Sequence, residues 1–113
     1  MEQKIPDNIS TRWNRPVLDF VREFSAHSDV TEVLLRAVKP LGDVQYYCPD
    51  PSRYRYFVVS TRAIIFGFAI GMNTVAFRLN APFNQRALTT GGNPIPALAE
   101  EWISITMLRY DWT

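Results

Sequence analysis

The hydrophobic period of this chain changes at Val44, and that change constrains the fold more than any other feature of the sequence. Before it, apolar residues recur at helical spacing; after it, they alternate. Val17, Leu18, Val21 and Phe24 form one helical face behind Pro16, which suits a first helical turn because its missing N–H would be unpaired there anyway. Val30, Val33, Leu34, Ala37 and Val38 form a second, stopped by Pro40 and Gly42. Asp29 and Glu32 have the spacing of a capping box at its start. Residues 1–13 are polar and read as an extended arm.

Four or five strands follow. Val44 to Cys48 is a short β-rich run, and Tyr54 to Ser60 is aromatic and β-branched. Ala63 to Ile70 alternates, with Ile64, Phe66, Phe68 and Ile70 assigned to one face. Gly71-Met72-Asn73 suits a tight turn into Thr74–Leu79, where Arg78 is expected to point outward. Phe83 to Leu88 is a short helix behind Asn80-Ala81-Pro82, and Gly91-Gly92 ends it. Asn93 to Pro96 is too proline-rich for either regular state, and Trp102 to Leu108 is the last strand. The expected fold is α+β: an antiparallel sheet of about four to five strands with the N-terminal helices packed on one face. At 113 residues the chain fits one domain.

The inventory for catalysis is thin. His27 is the only histidine, and its neighbours Ser25 and Ser28 do not make a triad, which is a matter of geometry. Cys48 is the only cysteine; it cannot form an internal disulfide or complete a Cys/His zinc set. Glu100-Glu101 would point to opposite faces of a strand, and Gly91-Gly92 lacks the spacing of a phosphate-cradling loop. No enzyme, cofactor or metal is expected. Met1 to Asp7 contains no apolar leader, and the longest apolar stretch, Ala63 to Met72, is ten residues, about half of a membrane span. With a lone thiol, this points to the cytoplasm.

Charge is the more informative pattern. The net charge is only +1, yet residues 51–99 hold five arginines and no acid. That stretch carries +5, whereas residues 1–50 and 100–113 each carry −2. In a strand, Arg53-Tyr54-Arg55-Tyr56 would put both guanidinium groups on one face and both phenols on the other. With Arg62 and Arg78 it would form a surface for an anionic partner, arginines on phosphates and tyrosines stacking. An edge strand protected by its charges explains the same residues. Arg12, Trp13 and Arg15 form a second basic and aromatic cluster. With Trp102 and Trp112 they are candidate oligomer or partner contacts, since Trp and Arg anchor interfaces.

The order of elements resembles the small bacterial MmcQ/YjbR-type domain, related to the TfoX C-terminal domain. The resemblance covers roughly residues 16–108. It rests on the strand Thr74–Leu79 leading into a short helix, then Gly91-Gly92, a proline-rich link and the Trp-led strand Trp102-Ile103-Ser104-Ile105. It implies an α+β cytoplasmic protein without an established activity and with a suggested role in DNA binding. The functional expectation is a non-catalytic interaction module or homodimer, with another protein or a second copy as partner; the alternative is nucleic-acid binding through the Arg/Tyr strand face, by Arg53, Arg55 and Arg62 with Arg12 and Arg15 as further contacts.

Overall fold

The computed structural model describes residues 5–26, 28–49 and 55–106. Helices α1 (Arg15–Val21) and α2 (Ser28–Val38) precede strands β1 (Gln45–Tyr47), β2 (Phe57–Thr61), β3 (Ile64–Ile70) and β4 (Thr74–Arg78). Helix α3 (Phe83–Thr89) and strands β5 (Asn93–Pro94) and β6 (Trp102–Thr106) complete the order. The strands form one antiparallel sheet in the order β1-β2-β3-β4-β6-β5. The α+β class is therefore as expected, and the sheet is slightly larger than four to five strands. The addition is β5, where Asn93 and Pro94 pair with Ser104 and Ile103 in the link expected to be irregular. None of the described helices is long and apolar enough to cross a membrane.

Helices α1 and α2 take opposite faces of the sheet, which corrects the expectation that both N-terminal helices pack on one face. Val17, Leu18 and Val21 of α1 pack with Val58, Phe68, Ala76 and Trp102. On α2, Val30, Leu34 and Val38, spaced by one turn each, pack with Val59, Ala69 and Val75. Phe68 pairs with Ala76 and Ala69 with Val75, so the two clusters occupy successive, opposite-pointing positions of the same strands. Asp29 lies in the first turn of α2, a position that favours a negative charge near the helix N-terminus. Glu32 pairs with Arg36 at 3.4 Å one turn on.

Strand β3 departs from simple alternation. Val59 pairs with Gly67 and Ser60 with Ile65, which leaves Phe66 as an extra residue in a bulge. The bulge reverses the pleat, so Ile65 joins Phe68 and Ile70 on the α1 side while Phe66 packs on the α2 side. This corrects the assignment of Ile64, Phe66, Phe68 and Ile70 to one face. A β-carbon at Gly67 would meet Val59 Cγ2 at 3.0 Å and Phe77 Cδ1 at 3.2 Å, so the bulge also needs its second residue small.

The described part of the N-terminal arm is turned and docked, not extended. Ile9 and Ser10 donate to the Pro6 carbonyl at 3.2 and 3.1 Å, and Ile9 is buried against the α1-side core. A buried apolar anchor accounts for the difference: an arm carrying Ile9 gains more by folding onto the sheet than by staying in water.

Candidate functional site

Asn14 is the residue that assembles the most distinctive surface. It stands at the N-cap position of α1, yet its side chain makes no capping bond. Completely buried, it reaches outward from the helix instead. Its Nδ2 donates to the carbonyls of Ile9 at 2.9 Å and Ala63 at 2.8 Å, and its Oδ1 accepts from the Ile65 N–H at 3.0 Å. Two donor hydrogens and one acceptor are thus engaged with three backbone groups. The arm, the start of α1 and the β2–β3 hairpin are joined at one point.

That hairpin is unusual in its backbone. Thr61 pairs with Ile64, so the loop is the two residues Arg62 and Ala63, and both have positive φ (51° and 66°). Two-residue hairpin loops favour this geometry because it matches strand twist, but they normally use Asn-Gly. Neither Arg nor Ala adopts it freely. The bond from Asn14 to the Ala63 carbonyl holds the tip where it is.

The consequence is a juxtaposition of two clusters far apart in sequence. Residues on either side of Asn14, Arg12, Trp13 and Arg15, are exposed, and so is the tip residue Arg62, the neighbour of the Ala63 that Asn14 binds. Trp13 is 74% exposed, the most exposed large hydrophobic side chain among the described residues. One indole and three guanidinium groups therefore share the end of the molecule that Asn14 ties together.

The other predicted residues go elsewhere. Arg55 is half-buried and Tyr56 is buried, both just before β2 rather than within it. Tyr56 packs edge-on against Tyr47 with ring centres 6.3 Å apart, so it serves the core rather than stacking on a ligand. Arg55 and Arg62 sit at opposite ends of β2, about 17 Å of strand apart. Arg78 is not an outward charge: its guanidinium lies 5.1 Å over the Trp102 ring, and its Nε is 3.6 Å from Glu101 Oε1. Trp102 is 2% exposed and packs on Phe68, which removes it from the surface contacts. Burial of this strand-leading tryptophan follows from its register opposite Arg78, on the α1 side of the sheet. Arg53, Tyr54 and Trp112, like His27, lie outside the described residues.

The central arginines thus scatter, and a continuous Arg/Tyr strand face does not form among the described residues. The residue pattern singles out Arg12, Trp13, Arg15 and Arg62 but carries no sign of the contact that joins them, and it leaves Asn14 unmarked. Its only sequence signal was an N-cap residue type ahead of Pro16. Among the described residues, no three His, Cys, Asp or Glu side chains come together in a way that could hold a metal ion. The chain matches no known family model, no curated protein and no solved structure.

Proposed function

We propose that this protein acts by contact rather than by turnover, as an interaction module whose contact surface is the patch of Arg12, Trp13, Arg15 and Arg62. The observation that carries this is Trp13, left 74% exposed beside three exposed arginines by a neighbour that is itself fully buried. Trp and Arg are the residue types that anchor interfaces, and here a buried clamp fixes the backbone that bears them. Rigid presentation lowers the ordering cost of binding.

The charge of the patch selects its partner. In a two-fold homodimer built on this surface, three arginines would face the same three of a second copy, and like charges would oppose each other. An anionic partner fits instead. Single-stranded nucleic acid is a specific second reading of the same surface, because bases stack on an indole while guanidinium groups contact phosphates. It agrees with what the MmcQ/YjbR resemblance implies, a family assignment that rests on element order and that we keep as part of this proposal.

Titration followed by Trp13 fluorescence tests both, with Trp13→Phe as the blank. Oligothymidylate offers phosphates and planar bases; poly-glutamate offers negative charge alone. Saturable quenching by either, weakened by salt and by Arg62→Ala, supports the contact surface. Quenching by oligothymidylate only, with the salt slope falling by about 1 for each arginine removed, selects nucleic acid. No response to either polyanion at low salt overturns the proposal.

A further inference from the structure

A cavity that shares Arg15 with the patch has a different chemistry from the patch. It encloses about 190 Å³ between Ile5, Ser10 and Thr11 of the arm and Arg15, Leu18 and Asp19 of α1. Thr11 and Arg15 flank Trp13 closely in the chain, so the cavity and the indole are built on one short segment. Arg15 and Asp19 stand one turn apart on α1, where side chains share a face, and both are exposed. Among the described residues, no ion pair engages either one. Thr11 Oγ1 accepts the Asn14 N–H at 3.4 Å, which leaves its hydroxyl hydrogen to donate.

Asp19 decides what the cavity takes. A carboxylate repels a phosphate or a second carboxylate, so the cavity does not extend the anion-binding surface. It asks for a neutral group with donors for Asp19 and acceptors for Arg15. A single-stranded nucleic acid brings both kinds of group, phosphates for Arg12 and Arg62 and a neutral base edge for the cavity.

We propose that the cavity reads one guanine of a single-stranded nucleic acid lying on the patch, with Asp19 and Arg15 as the reading residues. The inference rests on the nucleic-acid reading of the patch and adds the base that it selects. Guanine sets two donors side by side, N1–H and N2–H, which match the two carboxylate oxygens of Asp19. Its O6 and N7 acceptors match the guanidinium fork of Arg15. These four positions run along one continuous edge of the base, as Asp19 and Arg15 run along one face of the helix. Adenine, cytosine and thymine lack the two adjacent donors. The cavity is smaller than those that take drug-sized ligands, which suits a single base, and Ile5 and Leu18 offer apolar contact to its ring.

The test compares a labelled oligothymidylate with the same strand carrying one central guanine, by fluorescence anisotropy at low salt. The guanine strand should bind about tenfold more tightly, the discrimination expected of one good bidentate contact. Inosine in its place, which lacks the N2 donors, should lose most of that ratio, and so should a guanine with carbon in place of N7. Asp19→Asn should bring the ratio close to one. Equal affinity for the two strands, with saturable binding of both, overturns the guanine site and leaves the patch standing. A ratio that survives both inosine and Asp19→Asn places base recognition elsewhere and also overturns it. Absence of binding by either strand overturns the site together with the nucleic-acid reading on which it rests.

Discussion

The two turns that flank β3 solve the same problem by opposite means. At the β3–β4 end the chain reverses through Gly71-Met72-Asn73, and the one residue at positive φ is Gly71 (67°). Glycine adopts that conformation without strain, and its amide donates to the Ser25 carbonyl. At the β2–β3 end the reversal uses Arg62 and Ala63, two residues that resist positive φ. The first turn is written in its own sequence. The second is imposed by a residue about fifty positions away, and that residue also holds Trp13 at the surface. A strained turn kept by a tertiary clamp is the pattern expected where backbone conformation serves a site rather than stability.

Removing the clamp is the strongest way to break this contrast. Asn14→Ala leaves the Ile9 and Ala63 carbonyls and the Ile65 amide without their partner in a buried setting. The expected loss is about 3 kcal/mol in urea-induced unfolding, from several backbone groups left unsatisfied at once. The same variant should weaken polyanion binding beyond the effect of removing any one arginine, because it frees the whole patch. A loss of stability within the usual surface range of about 0.5 kcal/mol would show that Asn14 does not hold the tip.

Gly71→Ala probes the other turn. A β-carbon there would meet nothing within 4 Å, so the only cost is backbone conformation. The expected loss is about 1 kcal/mol, with polyanion binding unchanged since the turn is at the far end of β3. Weakened binding in this variant would mean that the patch depends on the sheet as a whole rather than on the Asn14 clamp.

The same contrast explains what was legible in the sequence. Val30, Leu34 and Val38 were readable as a helix face because their spacing is local, and Gly71-Met72-Asn73 was readable because a turn-forming residue sits in the turn. The bulge at Phe66 was not, because β3 is apolar on both faces and alternation carries no signal there. Trp102 and Trp13 look alike as sequence, each beside charged residues. Only the register that sets Trp102 opposite Arg78 in the sheet separates a core tryptophan from a surface one. Asn14 carries no local sign beyond being an N-cap residue type ahead of Pro16, and its reach to Ala63 depends on how the arm folds. Half of the candidate surface was visible as residue types, but the contact that joins its halves was not.

The smallest predicted effect gives the sharpest test of who holds the turn. Ala63→Gly relieves positive φ at one residue, and the gain should be about 1 kcal/mol, reduced somewhat by the greater freedom of glycine in the unfolded chain. That gain exists only while the tip is held in its strained conformation. In the Asn14→Ala background the tip is free to relax, so the same substitution should gain less, with a coupling of about 0.5 kcal/mol between the two sites. Equal gains in both backgrounds would mean that the pairing of Thr61 with Ile64 imposes the turn by itself. Asn14 would then be a partner of the hairpin rather than its cause, and the exposure of Trp13 beside Arg62 would follow from strand register alone.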